Sequence, residues 1–129
     1  MIVGVGTDIV EIERIAQLYA KQGLRFAQRL LSTQELQEFE LVKLPEPFLA
    51  KRWALKEAVA KALGTGIAHG VSFKQMTIAH QPSGKPYLLL SGEAQIRAQK
   101  IGAQDWQISV SDEKYYSVAY VIAQSIPQS

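Results

Sequence analysis

The sequence predicts an α+β fold in which N-terminal helices pack on antiparallel strands that come later in the chain. Helical spacing and capping signals occupy the first half, whereas short alternating segments separated by turn signals follow Gly70. The chain has 129 residues without an internal repeat, low-complexity tract or linker. We therefore expect one domain, residues 1–129, large enough to bury a core without disulfides.

The first expected element is a short strand over residues 2–6, which alternates Ile, Gly, Val and Gly and suits a tight turn at its end. An amphipathic helix is expected to open next, with Asp8 and Glu11 as a capping pair three residues apart. Gly23 ends this helix, and residues 24–31 are expected to add a further turn or two.

Two more helices are predicted before residue 64. Residues 32–42 open with a Ser-x-x-Glu capping pattern. Pro47 suits the first turn of the next helix, about Phe48–Leu63, whose interior has no Gly or Pro and which Gly64 follows as a left-handed cap. One face of that helix carries a stripe expected to be buried: Phe48, Leu55, Val59 and Ala62.

The second half predicts strands with one helix among them. Residues 71–80 and 87–90 have the character of strands joined around a Ser-Gly turn. Residues 92–100 are expected to be helical. Residues 107–111 alternate cleanly, and residues 116–123 are apolar enough for a buried strand.

Composition narrows the classes of function. Cys is absent, which excludes disulfides and thiolate metal sites, so any metal must use oxygen or imidazole ligands. No apolar stretch approaches the roughly 20 residues of a membrane span, and no basic segment precedes the short apolar run at the start. We expect a cytoplasmic protein without a membrane partner, and the net charge of +2 does not indicate nucleic acid.

The basic residues nevertheless gather in two groups. Such groups can bind an acidic protein or a phosphorylated ligand. The alternative is that they are the solvent-exposed faces of two helices. The first group is Arg14, Lys21, Arg25 and Arg29, and the second is Lys51, Arg52, Lys56 and Lys61.

Glu57 is the first candidate for chemistry, because basic residues surround it and Lys61 lies one helical turn further on. A surface ion pair of this spacing contributes only about 0.3–0.5 kcal/mol. The alternative is a carboxylate that holds a hard cation beside a phosphate-binding lysine, since Mg²⁺ takes one or two carboxylates and completes its shell with phosphates and waters. Asp8 has the same two interpretations, a helix cap worth about 1 kcal/mol or a metal ligand.

The sequence gives less support to a histidine metal site, a serine nucleophile or a dinucleotide-binding loop. His69 and His80 lack the spacing of metal ligands, and Ser109 and Ser111 have no evident histidine base. The Gly4-x-Gly6 pattern lacks the third glycine of a dinucleotide fingerprint.

Three segments resemble a known family. The opening GVGTDIVEIERI, from Gly4, and FLAKRWALKEAVAKALGTG, from Phe48, are similar to the holo-acyl-carrier-protein synthases. The second contains the W-x-x-K-E-A-x-x-K-A signature of phosphopantetheinyl transferases. The Ser-Gly-Lys-Pro turn at 83–86 and the hairpin over 107–123 also resemble the family, so the likeness covers nearly the whole chain.

The resemblance implies a 4′-phosphopantetheinyl transferase fold and a role for several residues. Asp8 and Glu57 match the Mg²⁺ ligands, which also meet the diphosphate of coenzyme A, and Lys61 matches the lysine beside that diphosphate. Glu57 and Lys61 are then the catalytic candidates. Residues expected around the nucleotide are Arg52, Lys56, Lys61, Gly64 and the turn Gly84-Lys85-Pro86.

The family also implies partners. Arg14, with Lys21 and Arg25, falls on the helix that resembles the docking helix for an acidic acyl carrier protein. Family members are homotrimers with active sites between subunits, so one site would draw on two chains. Many members have His where this chain has Asp112, which would repel a ligand phosphate, and Asp112 is therefore left out of the predicted site.

The implied reaction transfers 4′-phosphopantetheine from coenzyme A to a carrier serine in fatty acid biosynthesis and releases 3′,5′-ADP. Either Glu57 or a water molecule on the metal would remove the serine proton. Two other hypotheses use the same basic groups: a non-catalytic module that docks an acidic partner, and a hydrolase of nucleotide phosphates.

Overall fold

A computed structural model describes residues 1–127. Within these residues there are five strands and five helices, four of the helices consecutive after the first strand, with a short 3₁₀ turn at Phe73–Gln75. The strands are β1 Ile2–Glu11, β2 Met76–His80, β3 Pro86–Leu90, β4 Asp105–Asp112 and β5 Tyr116–Gln124. The helices are α1 Ile12–Gln22, α2 Leu24–Leu30, α3 Thr33–Phe39, α4 Pro45–Leu63 and α5 Gly92–Ile101.

The strands form two antiparallel units, which confirms the predicted α+β class. One is a three-stranded sheet in the order β1-β5-β4, and the other is the β2–β3 hairpin. The first and last strands of the chain are therefore hydrogen-bonded neighbours, with Val5 opposite Ile122 and Ile9 opposite Val118.

Helix α4 forms the centre of the core, with one face against the sheet. Twelve of its 19 residues are buried, including all four of the predicted stripe. Strand β5 turns small side chains such as Ala119 and Ala123 towards the interior, where both are fully buried. Small residues on the strand let the helix approach the sheet closely.

Two glycines bring β1 directly against α4. A Cβ atom on Gly4 would collide with the carbonyl oxygen of Ala62, and one on Gly6 would collide with that of Ala58. The strand expected over residues 2–6 is confirmed, but the tight turn expected at its end is wrong, because the strand continues to Glu11. Both glycines are needed because the helix backbone occupies the space that a side chain would fill.

The predicted cap at Asp8 is also wrong. Strand β1 continues through Asp8 to Glu11, since each residue from Gly4 onward pairs with β5. Helix α1 begins at Ile12, and Glu11 precedes it without a side-chain capping bond. Long-range strand pairing thus outweighs a local capping pattern, which placed the helix start three residues too early.

Other local signals are confirmed. Ser32 and Glu35 form both bonds of a capping box, although α3 ends at Phe39 instead of Val42. Gly64 has a left-handed backbone, with φ 81°, at the end of α4. The predicted strand over 71–80 is shorter, because the 3₁₀ turn occupies its first half. Within residues 1–127, no helix is both long and apolar enough to cross a membrane.

Candidate active site

Three of the predicted residues meet where β1 crosses α4. Asp8 projects from the helix-facing side of the strand, and Glu57 and Lys61 lie one turn apart on the helix. The Lys61 ammonium donates hydrogen bonds to Asp8 Oδ1 at 3.0 Å and to the carbonyl oxygen of Thr7 at 2.8 Å. Lys61 is thus tied to the strand, and its ion pair is with Asp8.

One carboxylate oxygen in this group lacks a partner. Asp8 Oδ2 is buried and accepts no hydrogen bond from any residue that the structure describes. Leaving a buried charged oxygen unsatisfied is unfavourable, and native proteins seldom do so. The orphaned oxygen therefore marks a place where a donor or a cation from outside the chain would be accommodated.

The pKa of Glu57 is a second indication that this group of residues could accommodate a cation. Partial burial raises the pKa of its carboxyl group, and the negative charge of Asp8 raises that pKa further. Lys61 and Arg14 act in the opposite direction without cancelling the rise. A divalent cation between the two carboxylates would relieve both burial and repulsion.

These features fit a magnesium site that a substrate completes. Two carboxylates are the usual protein contribution to Mg²⁺, and phosphate oxygens and waters supply the remaining ligands. Over residues 1–127, no group of three or more acidic, histidine or cysteine side chains is arranged to enclose a metal. The donor set therefore suits an ion held jointly with a phosphorylated substrate.

Arg14, from α1, lies close enough to Glu57 for its charge to act on that carboxyl group. Its guanidinium sits over the ring of Trp53, 5.5 Å from the ring centroid, and its charge favours the ionised form of Glu57. Trp53 occurs one helical turn before Glu57. The active face of α4 therefore presents an aromatic ring, a carboxylate and an ammonium group in succession.

Arg52 and Lys56 lie outside this cluster, and their contact with nucleotide phosphates stays a prediction. Arg52 is 4% exposed and Lys56 is fully buried. Both pair with Glu35, and Arg52 also donates to Glu38 at 3.0 Å. Residues 56 and 57 point about 100° apart on a helix, so neighbours in sequence serve different environments.

Lys56 is fully satisfied in the interior. Its ammonium donates to the carbonyl oxygens of Leu30 and Phe73, at 2.7 and 3.1 Å, and to Glu35. Burial lowers its pKa to about 8, against the opposing effect of Glu35. Because this value is above neutrality and all three protons have acceptors, we assign Lys56 as charged at pH 7.

The remaining nucleotide candidates are distributed over two places. Gly64 lines a cleft between the end of α4 and helix α5, together with Arg97 and Lys100. The turn Gly84-Lys85-Pro86 lies at the tip of the β2–β3 hairpin. No hydrogen bond or ion pair within residues 1–127 connects that turn to Asp8, Glu57 or Lys61.

The partner candidates are accessible. Arg14 and Lys21 are exposed on α1, and Arg25 is exposed on α2. Asp112 lines a mostly apolar groove of about 490 Å³ at the end of the sheet, with Ile9 and Tyr116.

Comparison with known proteins decides the family. The model of the 4′-phosphopantetheinyl transferase superfamily matches residues 4–121. The chain belongs to this superfamily. A holo-[acyl-carrier-protein] synthase of Hydrogenovibrio crunogenus is 54% identical over 125 residues, which cover 97% of this chain and 98% of that protein.

Solved structures of the superfamily have the same fold. The holo-[acyl-carrier-protein] synthase of Neisseria meningitidis is 44% identical, with a TM-score of 0.89 and coverage of 97% of this chain and 100% of that one. The enzyme of Bacillus anthracis, in complex with coenzyme A (3′,5′-ADP), is 35% identical with a TM-score of 0.82. The alignment covers 98% of this chain and 99% of that structure.

Sequence reasoning missed two contributors to the site. Gly6 permits the close crossing of β1 and α4, and Trp53 supports Arg14. The tryptophan stood in the signature motif, but its position over an arginine of another helix depends on tertiary packing. The collision at Gly6 depends in the same way on how closely the strand and the helix cross.

Proposed function

We propose that this chain transfers 4′-phosphopantetheine from coenzyme A to a serine of apo-acyl carrier protein. The observation that carries the proposal is the pair Asp8 and Glu57, on crossing elements, with one buried oxygen unsatisfied and Lys61 beside it. This arrangement suits a diphosphate with its cation, and the superfamily match supplies the substrate class.

In this reaction the carrier serine oxygen forms a bond to the phosphorus that bears pantetheine. The bond from that phosphorus to the leaving 3′,5′-ADP breaks, and the ADP keeps the electron pair. Asp8 and Glu57 would hold Mg²⁺, which supplies charge neutralisation for the diphosphate when bound.

The chain's own residues have distinct tasks in this scheme. Lys61 already donates to Asp8, and its exposed ammonium is available to donate to a phosphate oxygen as negative charge develops there. Glu57 is a candidate acceptor for the serine proton, because its carboxylate lies one helical turn from Lys61 on the same face of α4.

We further propose a homotrimer in which a neighbouring subunit completes the nucleotide end of each site. Within residues 1–127, Arg52 and Lys56 are buried against Glu35, so Lys61 is the exposed member of the three cations expected to meet phosphates. The outer face of the sheet supports an assembly, since it leaves Val5, Ile9 and Tyr120 61%, 64% and 60% exposed. An apolar sheet face of this kind commonly marks a protein interface.

Light scattering after size-exclusion chromatography tests the assembly. We expect a trimer for the unsubstituted chain and a smaller species for Tyr120→Glu, which places a charge on the proposed interface. Glu40→Gln, on the exposed end of α3, is the control that should stay trimeric. A monomer at assay concentrations would contradict this part of the proposal.

Arg14, Lys21 and Arg25 would receive the acidic carrier. Their exposure on two consecutive helices supports this role. Arg14→Glu should raise the apparent KM for the carrier, and an unchanged KM would contradict the docking assignment. A cytoplasmic location stays a prediction.

Mass spectrometry of the carrier tests the activity. The protein is mixed with coenzyme A, Mg²⁺ and apo-carrier, and the carrier is weighed with and without a chelator. We expect a gain of one phosphopantetheine group that requires Mg²⁺. A gain that persists with chelator would contradict the metal assignment, and no gain under any condition would contradict transfer.

Two other outcomes identify the alternatives. Carrier binding without a mass change would indicate a docking module, and breakdown of coenzyme A without carrier would indicate a hydrolase. Asp8→Asn and Glu57→Gln should both lose most of the transfer activity, whereas Glu40→Gln, at an exposed acid that follows α3, should retain it.

A further inference from the structure

The ring of Trp53 lies between the aromatic core and the catalytic face of α4. It packs on Phe73, with centroids 5.1 Å apart, and on Phe26, with centroids 6.0 Å apart. The residue is only half-buried, so one part of the ring remains open. Two aromatic neighbours on different elements hold the orientation of this ring.

Arg14 covers the open part. Its guanidinium carbon is 5.5 Å from the Trp53 centroid, which is within the range of a cation–π contact. Arg14 is otherwise an exposed side chain on α1, and free arginine side chains lose considerable rotamer entropy when they bind a partner. The ring therefore reduces the freedom that Arg14 would have on a bare helix.

The contact between Arg14 and Trp53 lies on the same face of α4 as Glu57 and Lys61. Trp53, Glu57 and Lys61 are spaced by four residues and share one face of α4. The guanidinium over Trp53 therefore lies at the start of that row. It is close enough to Glu57, one helical turn further on, for its charge to favour the ionised carboxyl group.

We infer that Trp53 is a positioning residue that holds the Arg14 guanidinium beside Glu57 for the incoming carrier protein. The inference rests on the proposed transfer and adds a second function to an aromatic side chain of the core. Trp53 acts through Arg14 and is not assigned contact with the reacting atoms.

Kinetics of a double-mutant cycle test this inference. Trp53→Leu should raise the KM for the carrier about two- to five-fold, the factor expected from losing one exposed cation–π contact, with kcat and the KM for coenzyme A unchanged. Trp53→Phe, which keeps a ring, should restore most of the loss. Trp53→Leu added to Arg14→Gln should cost little more than Arg14→Gln alone.

Arg29 offers a matched control. It also lies over an aromatic ring, 5.8 Å from the centroid of Phe26, but it hydrogen-bonds Gln22. Combining Arg29→Gln with Trp53→Leu should give additive effects. Additive effects for Arg14 with Trp53 would overturn the inference, as would a loss confined to kcat.

Fluorescence tests the contact without any activity. In a Trp106→Phe background, Trp53 is the only tryptophan. Arg14→Gln should then increase acrylamide quenching of Trp53, because the guanidinium no longer covers the ring, and Arg29→Gln should not. Unchanged quenching overturns the inference alone, whereas failure of the unsubstituted protein to modify the carrier contradicts the proposed function.

Discussion

Helix α4 carries two charged clusters that differ in how completely they are satisfied. The interior cluster, Glu35 with Arg52 and Lys56, is buried and closed. Glu35 accepts from both cations and from the backbone N–H groups of Ser32 and Ile78. The cluster at the β1 crossing, Asp8 with Glu57 and Lys61, leaves a buried oxygen without a donor.

This difference distinguishes charged residues that stabilise the fold from charged residues that are available to bind a ligand. A buried ion pair supports the fold only when every member has its partners, and the interior cluster meets that condition. An incomplete cluster costs stability unless a ligand completes it, which is the condition expected of a substrate and metal site. Helix α4 contributes charged residues to both clusters, so residue type alone does not distinguish them.

The largest effect that would test this contrast is on stability. Glu35→Gln removes the shared anion from two buried cations, and we expect it to lower the free energy of unfolding by about 3–5 kcal/mol. Urea denaturation measures this loss. Lys56→Met added to Glu35→Gln should recover part of it, because fewer buried charges then lack a partner. A loss below about 1 kcal/mol would show that the interior cluster is not what stabilises this region.

The next effect is on activity at the incomplete cluster. Glu57→Gln should lower kcat about 10²- to 10³-fold, the usual cost of removing one group that stabilises a transition state. The folded state should survive, since Glu57 has no closed network to lose. Carrier modification followed by mass spectrometry gives the rate, and thermal unfolding verifies the fold. Near-normal turnover would remove Glu57 from the mechanism.

A smaller effect tests the crossing that joins strand and helix. Gly6→Ala forces a Cβ against the carbonyl oxygen of Ala58, and we expect a loss of about 1–3 kcal/mol in unfolding free energy. Transfer activity should fall as well, because Asp8 moves with β1. Gln17→Ala, at an exposed position on α1 outside the sheet, should change stability by no more than about 0.5 kcal/mol. Equal stability of the two variants would contradict the close approach.

The smallest effect is the pH dependence of the metal-free protein. Since the native pKa of Glu57 is raised, its contribution to stability is present below the unfolded pKa and is lost as pH rises through the native pKa. Glu57→Gln should therefore melt at a higher temperature than the unsubstituted chain near pH 7, with the difference shrinking towards pH 4. Thermal unfolding in chelator measures both. A difference that does not change with pH would contradict the raised pKa.

Much of the fold could be predicted from sequence because it follows local signals. The capping box at Ser32, the left-handed Gly64 and the alternation of β4 depend on residues within a few positions of each other. Asp8 shows the limit of such signals. Asp8 and Glu11 have the spacing of a capping pair. However, β1 pairs with β5, more than 100 residues away, and this pairing extends the strand through both residues.

The candidate site residues also differ in how far the sequence could predict their positions. Asp8, Glu57 and Lys61 could be named because their motifs resemble a family, and the structure brings them together. Arg52 and Lys56 lie in the same motif, but Glu35, from α3, pairs with both of them in the interior. The spacing of cations along α4 does not show which face of this helix packs against α3, because that depends on the tertiary structure.

The central claim is that Asp8 and Glu57 hold a divalent cation with the bound substrate. Calorimetric titration of Mg²⁺ into protein saturated with coenzyme A tests it most directly. We expect about one ion per chain, with binding at least ten-fold weaker in Asp8→Asn and unchanged in Glu40→Gln. Equal Mg²⁺ affinity in Asp8→Asn and the unsubstituted protein would contradict the claim.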